Sequence, residues 1–362
     1  MHSRVLRVLY VAPRSPPPGG IATLMDVLSR KGLPGAFRVQ VVNTSAPGRK
    51  MHGGTSVSAR ELWRNVRILL DLARALLIFR PDIVHINCSL ARNGIFRDLV
   101  CASVARLAGA RVLTHYHGSI ARFVQEPGLP VTALHRLIAG SRVNIASNAR
   151  DLECLCQTGR ARGGTFCLPN YVDVDQFSGD RQTPCGARPA RLRGIYVGGL
   201  TRAKGAVDIV EVARRRPEID FTLVSASVVD SFRPVMESLP PNVTMRINVA
   251  DGELKQALRD SAFFILLSHH EGFPLSLTEA MCSGLPVVAT RAGSVPEMID
   301  EGEGGFLCAP GDIGGALAAL DKLVGSSRLQ EMGEHNYRKA RANYTFEVVG
   351  PKLVGIYRAL VN

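Results

Sequence analysis

Short apolar, β-branched runs alternate with helical periodicities along most of the chain, the pattern of parallel sheets wrapped by helices. In the first half RVLYVA (7–12), FRVQVVN (37–43), DIVHIN (82–87), RVLTHYH (111–117) and RVNIAS (142–147) read as strands. GIYVGG (194–199), DFTLVSA (220–226), VTMRIN (243–248), AFFILLS (262–268) and LPVVAT (285–290) read as a second series. Two doubly wound α/β units in tandem are therefore expected. Residues 178–194, SGDRQTPCGARPARLRG, have no period and are rich in Gly, Pro and Arg, which marks a linker. The division that follows is a Rossmann-like domain over 1–180, a linker over 181–193, a second such domain over 194–344 and a tail over 345–362. In that tail FEVVGPKLVGIYRAL (346–360) predicts a last helix beginning after Pro351 and packing back on the first domain.

One helical stretch stands apart. In RELWRNVRILLDLARALLIFR (60–80), Arg60, Arg64, Arg67 and Arg74 fall near one face, and Leu62, Trp63, Val66, Leu69, Leu70 and Leu77 occupy much of the rest. This is a basic amphipathic helix. It reads either as a core helix whose arginines are its solvated side or as a helix lying on a membrane surface. Residues 1–190 hold 25 Lys and Arg against 11 Asp and Glu, whereas residues 191–362 hold 19 against 20, so the first half carries the whole excess of positive charge. Such a half faces something anionic, an acidic bilayer surface or a phosphorylated substrate. Nucleic acid fits less well, because the basic residues are not interleaved with aromatics and no binding motif occurs.

The other bulk features narrow the class. Hydrophobic residues make up 46% and charged residues 21%, the balance of a globular protein. The apolar run at the start, Val8 to Ala12, is too short for a secretory signal. No stretch approaches the roughly 18 apolar residues of a spanning helix. A cytoplasmic protein, peripheral on the inner face of the membrane, is expected. The eight cysteines lack C-x-x-C or Cys/His spacing and read as buried thiols, with no metal site.

Ligands of such sheets bind beyond the carboxyl ends of the strands, so the loops there carry the chemistry. After AFFILLS, the loop HHEGFP leads into LSLTEAMCSG. Gly272 permits a turn, Pro274 suits a first helical position, and the amides of Leu275 and Ser276 are left to hold a phosphate. Glu271 and Glu279 flank these amides. Singly, Glu279 reads as a solvated helix residue and Glu271 as a capping carboxylate. Their spacing about a glycine turn instead suits the hydroxyls at the two ends of a nucleotide sugar, Glu279 taking the ribose diol and Glu271 facing the sugar. Lys204 and Arg202, in VGGLTRAKG, are the cations for the diphosphate. In the first half Gly19 and Gly20 open a helix after RVLYVA, and two strands end in His85, His115 and His117. His115 and His117 share a strand face, so both are candidates. Gly118, next to His117, is expected to leave room for substrate. His269 and His270 read as loop residues.

These stretches together resemble a known family, the retaining GT-B glycosyltransferases of family 4. EGFPLSLTEAMCSGLPVVATRAGSVPEMIDEGEGGFLCAPGD (271–312), with its E-x7-E spacing, is close to that family's pattern. LPNYVDVDQF is similar to its interdomain "PNGVD" stretch, PDIVHIN and THYHGS to two first-domain loops, and GGIATLM to its glycine-rich acceptor loop. The resemblance covers nearly the whole chain. It implies two Rossmann-like domains facing each other across a cleft, a nucleotide diphosphate sugar as co-substrate on the second, and transfer with the anomeric configuration retained. No metal and no other cofactor is implied. The acceptor, a glycan or one carried on a polyprenyl diphosphate, belongs to the first domain, with Gly19, Gly20 and His115 as acceptor residues.

By the same resemblance Glu279 takes the ribose, while Phe273, Pro274, Leu275 and Ser276 meet the phosphates and sugar through their backbone. His117 sits by the sugar near the reacting carbon, where with Glu271 it makes up the expected catalytic pair. The departing phosphate helps deprotonate the acceptor. Two departures stand out. The family commonly has Arg directly after the glycine of "GRLxxxKG", where this chain has Gly199; Arg202 is expected to substitute. A usual glycine-rich turn is replaced by SASVVDS (225–231). The same architecture also suits a nucleotide-sugar epimerase, a glycan phosphorylase, or a non-catalytic reader of glycans or nucleic acid.

Overall fold

A computed structural model describes residues 5–16, 19–45, 59–177 and 191–361. In it the chain divides into two units, 1–170 with 346–362, and 171–345. The first runs β1 (Leu6–Ala12), α1 (Gly20–Lys31), β2 (Phe37–Asn43), α2 (Ala59–Ile78), β3 (Ile83–Cys88), α3 (Gly94–Leu107), β4 (Arg111–Tyr116), α4 (Ile120–Phe123), α5 (Leu129–Gly140), β5 (Val143–Ala146), α6 (Ala149–Gln157) and β6 (Gly164–Cys167). The second runs β7 (Arg193–Val197), α7 (Ala206–Arg215), β8 (Asp220–Ser225), α8 (Arg233–Met236), β9 (Val243–Ile247), α9 (Asp251–Arg259), β10 (Phe263–Leu266), α10 (Leu275–Cys282), β11 (Val287–Thr290), α11 (Val295–Met298), β12 (Gly305–Cys308), α12 (Ile313–Gly325) and α13 (Leu329–Asn343). The chain then returns to the first unit as α14 (Phe346–Val361).

Both sheets are six-stranded, ordered β2-β1-β3-β4-β5-β6 and β12-β11-β10-β7-β8-β9, and every strand pair is parallel. Helices cover both faces, so central strands are buried along most or all of their length, wholly so in IVHINC of β3 and FFIL of β10. The second order is the dinucleotide-binding one, and its winding reverses between β7 and β10. That switch point puts the loops after β7 and β10 side by side. The first sheet reverses between β1 and β3.

Two strands, β6 and β12, add to the ten expected. Both are four-residue edge strands. GTFC in β6 is mostly exposed and has no apolar run to announce it. The break between units falls at Asn170, not at 180. Residues 171–177 belong with the second unit, where Val172 donates to the Tyr344 carbonyl at 3.0 Å and Lys255 Nζ to Gln176 Oε1 at 2.9 Å. Most of the expected linker, residues 181–190, lies outside the described residues.

α14 differs from expectation in starting before Pro351, which sits inside it. One proline removes one helical hydrogen bond, at a cost of ~3 kcal/mol. Burial of Phe346 and Val349 upstream offsets it, at ~1.5–3 kcal/mol each. The helix is tied to the first unit by a hydrogen bond between the Tyr357 and Tyr10 hydroxyls at 2.6 Å and by Lys31–Glu347 at 3.1 Å.

α2 departs most from the pattern. Its buried side is narrow, consisting of Ile68, Leu72 and Ala75. Leu62, Trp63, Val66, Leu70, Leu77 and Ile78 all face solvent. The reading in which the apolar side packs on the sheet with the arginines opposite therefore fails. Helical geometry puts Arg67 and Arg74 on the same exposed face as Trp63, Val66, Leu70 and Leu77. No described helix is long and apolar enough to cross a membrane.

Candidate functional site

In the second unit the two loops at the switch point are built together. After β7, Thr201 caps a 3-10 turn, Arg202–Lys204, by accepting from the Lys204 N–H at 3.2 Å. After β10, His269 N–H donates to the Ala203 carbonyl at 3.0 Å and joins the two loops. Gly205 (φ +70°) and Gly293 (φ +55°) make this packing possible. A Cβ at either would lie 2.0 Å from a carbonyl oxygen, that of Leu267 or of Glu271. Only glycine tolerates both the dihedral and the contact.

α10 then begins at Leu275, with Pro274 as its cap rather than its first residue, and no side chain caps it. The first helical bond is Thr278 N–H to the Pro274 carbonyl, at 3.3 Å. The amides of Leu275, Ser276 and Leu277 thus have no carbonyl one turn earlier in the helix, which is the disposition that suits an anion. Phe273 is buried edge-on against Tyr344 at 5.3 Å and Pro274 is buried, so the approach to the helix is fixed. Ser276 is half-buried.

The carboxylates differ from each other. Glu271 is buried, and both its oxygens accept from Lys204 Nζ, at 2.9 and 2.8 Å. Lys204 keeps 42% of its side chain exposed. The two residues expected to meet sugar and diphosphate therefore hold one another. Glu279 is half-buried, and its carboxylate, unlike its backbone carbonyl, accepts no hydrogen bond among the described residues. Burial lifts its carboxyl to about 7; Asp251 adds to the rise and Lys255 opposes it. Arg202 is exposed. At Gly199, where the family arginine is missing, an added Cβ would meet nothing within 4 Å, and the Gly199 carbonyl accepts from Tyr196 Oη at 2.8 Å. His269, read from sequence as a plain loop residue, is bonded through Nε2 to Asp208 at 2.6 Å and so steadies the Arg202–Lys204 turn. Asp208 sits four residues after Lys204 on α7, but nothing in the sequence pairs it with His269.

In the first unit, His85 and His115 come from the adjacent strands β3 and β4, and His117 follows β4. Their rings form a column, His85–His115 at 5.8 Å between centroids and His115–His117 at 4.1 Å, with Tyr10 stacked on His85 at 4.8 Å. His85 Nδ1 meets the Tyr357 hydroxyl at 2.5 Å. Burial is the main force lowering all three imidazole pKa values, His117 to about 4, so the column is neutral at pH 7. His115 is only 4% exposed and lies beneath His117; it offers an acceptor no surface, and of the two only His117 reaches the outside.

His117 Nδ1 and Nε2 lie 2.8 and 2.9 Å from side-chain oxygens of Asn170 and Asn87. A neutral ring donates from one nitrogen only. Turning over the Asn87 amide lets its Nδ2 donate to Nε2 and moves the amide oxygen to the buried position that has no partner. Gly118 does not open space for a ligand: a Cβ there would lie 2.7 Å from the Ser89 carbonyl, so this glycine lets the β3 loop pass. Gly19 and Gly20 are exposed at the start of α1, and Gly19 has open space around it.

Two Rossmann-like units in tandem, the second with an open helix start at its switch point, define the GT-B architecture. Residues 190–340, most of the second unit, match the family described as "Glycosyl transferases group 1". It is similar to MMP alpha-(1->4)-mannosyltransferase of Mycolicibacterium hassiacum, 31% identical over 41% of this chain and 38% of that one. The first curated relatives it matches are spanned over only 38% to 58% of their length. Sucrose-phosphate synthase of Thermosynechococcus elongatus has the same fold, with a TM-score of 0.79 over 98% of this chain and 99% of that one at 16% identity. So has HepE of Anabaena, solved in complex with UDP-glucose, with a TM-score of 0.74 over 98% and 100% at 15% identity.

Proposed function

We propose that this protein transfers a sugar from a nucleotide diphosphate sugar to a glycan or lipid-linked glycan, with the anomeric configuration retained. The observation that carries the reading is the uncapped start of α10 beside Lys204 at the switch point of a sheet in dinucleotide-binding order. HepE's complex with UDP-glucose supports a donor of this class.

In the proposed cycle the diphosphate takes up the amides of Leu275 and Ser276 and competes with Glu271 for the Lys204 ammonium. Release of Lys204 frees the Glu271 carboxylate to accept from sugar hydroxyls, while Glu279 accepts from the ribose diol. The bond from the sugar's anomeric carbon to the phosphate oxygen breaks as the acceptor oxygen bonds to that carbon from the same face. The acceptor's proton passes to the departing phosphate. Arg202, Lys204 and the helix amides balance the charge that develops there without calling on a metal. His117, held by Asn170 and Asn87, positions the sugar, and the acceptor lies with the first unit near Gly19 and Gly20.

Thermal unfolding against UDP-, GDP- and ADP-sugars tests the reading. A donor at a hundred times its Kd stabilises the folded state by about 2.7 kcal/mol, and Glu279→Ala should abolish the shift. If none of these donors stabilises the protein, the reading is wrong. NMR of the product anomer tests retention, and an inverted product overturns that part. Isomerised donor in the absence of acceptor would indicate an epimerase instead.

A further inference from the structure

We propose that the first unit docks on an anionic lipid bilayer through the exposed face of α2, continued by α3. Trp63 is 67% exposed, Leu70 62% and Leu77 75%, and Val66 lies between them on the same stripe. Four large apolar side chains in water along four turns of one helix face mark a partner-binding surface, because monomers rarely expose large apolar patches. α3 packs against α2 and adds a second stripe, Phe96, Val100 and Leu107, the last 90% exposed. The far side of α2 is anchored by Ile68, Leu72 and Ala75, which are buried, so the outward face is fixed rather than frayed.

Charge decides which partner fits. Arg67 and Arg74 lie within the apolar stripe of α2, and Arg106 is exposed beside Leu107 on α3. Of the two acids of α2, Glu61 is engaged by Arg64 at 4.0 Å and Asp71 by Arg67 at 3.7 Å. The half of the chain that contains this face holds 25 Lys and Arg against 11 Asp and Glu. A second copy of the same positive face would repel it, and a neutral partner would give Arg74 no counter-charge. An acidic bilayer meets both needs, taking the apolar side chains at the acyl boundary and the arginines among the phosphates, their stems lying along the apolar surface. A tryptophan at that depth is at its preferred level. The inference stands apart from the transfer reading, and failure of either leaves the other intact.

Trp63 is the single tryptophan of the chain, so its emission reports on this face directly. The full chain is mixed with phosphatidylcholine vesicles made with or without phosphatidylglycerol, and emission and co-sedimentation are followed as salt is raised. The expected result is a blue shift and binding with the phosphatidylglycerol vesicles, both weakening as salt screens the arginines. Leu70→Glu and the double change Arg67→Glu with Arg74→Glu should each lower the vesicle partition coefficient roughly tenfold or more, with the unfolding temperature unchanged because these positions are exposed. The charge variant keeps the test intact if the leucine variant folds poorly. Emission that ignores vesicles, an equal response to both lipids, or variants that bind like the parent chain would each overturn the proposal. So would a blue shift that grows with protein concentration in the absence of lipid, which would identify a second copy as the occupant.

Discussion

The carboxyl ends of the two sheets are made of opposite materials. In the first unit, three histidine rings and Tyr10 form a column that is neutral at pH 7, the Tyr357 hydroxyl bonds to His85 at its side, and the outermost ring, His117, has both nitrogens held by asparagines. In the second, a buried carboxylate is paired with a half-exposed lysine beside a helix start that no side chain caps. Neutral groups can orient a sugar or an alcohol without attracting charge. Charged groups that can exchange partners suit a diphosphate, whose binding has to be reversible. On the proposed reading, the same doubly wound topology offers a neutral polar column in one unit and an exchangeable anion seat in the other.

Removing the lysine breaks this contrast most severely. Lys204→Ala leaves Glu271 buried and unpaired. Losing a partner from a fully buried pair costs ~3–5 kcal/mol, and since Lys204 is partly exposed, ~1–3 kcal/mol is expected here. The greater effect is on transfer, expected to fall ~10²-fold or more with the loss of charge at the leaving group. Adding Glu271→Gln should restore the unfolding temperature but not the rate. Recovery of both would show that Lys204 only neutralises Glu271, and the seat would lose its proposed purpose.

The sequence discloses the seat's parts and conceals their pairing. HHEGFPLSLTEAM shows a strand, a turn and a helix start, because Gly272 and Pro274 act locally. That Glu271 reaches Lys204, 67 residues earlier, depends on β10 lying beside β7, a crossover that local periodicity does not encode. The His269–Asp208 bond was hidden for the same reason. β10 itself is plain as an unbroken apolar run, whereas β6 owes its place to backbone pairing along β5 rather than to its side chains. α2 misled differently. Periodicity reveals that a helix is amphipathic without revealing which side the sheet takes, and Ile68, Leu72 and Ala75 sufficed to bury the other one.

A pH titration sharpens the contrast, since the two sites respond with opposite sign. His117 drops from 6.5 to about 4 on folding, so its contribution to stability is complete above pH 6.5 and is lost as pH falls toward 4; His85 and His115 act the same way. Glu279 rises from 4.5 to about 7, so its contribution is complete below pH 4.5 and is lost as pH climbs through 7. Glu279→Gln removes this second slope. Relative to the parent chain, the variant should gain ~1–3 kcal/mol in unfolding free energy between pH 5 and pH 8, allowing for partial exposure. Donor affinity of the parent chain should run the other way and strengthen as pH passes 7, because only the ionised carboxylate accepts from both ribose hydroxyls. A stability difference that is flat with pH would mean that Glu279 is well solvated, and would return it to an ordinary surface position.

The smallest effect concerns the cation missing from the seat. Gly199 has open space where a side chain would begin, and its φ lies outside the left-handed region, so Gly199→Arg should fold without strain. One added exposed cation near a diphosphate is worth ~1 kcal/mol, about fivefold in donor Kd. If Arg202 already serves as the substitute, Arg202→Ala should weaken donor binding by a similar factor, and Gly199→Arg placed on top of it should recover the loss. Titration calorimetry with the donor identified by thermal shift reads all four proteins. Recovery in the double variant would make the two positions alternative sources of one charge. An Arg202→Ala chain that binds donor like its parent would leave Lys204 and the helix amides as the whole of the seat, and the contrast with the neutral column would then rest on a single exchangeable ion pair.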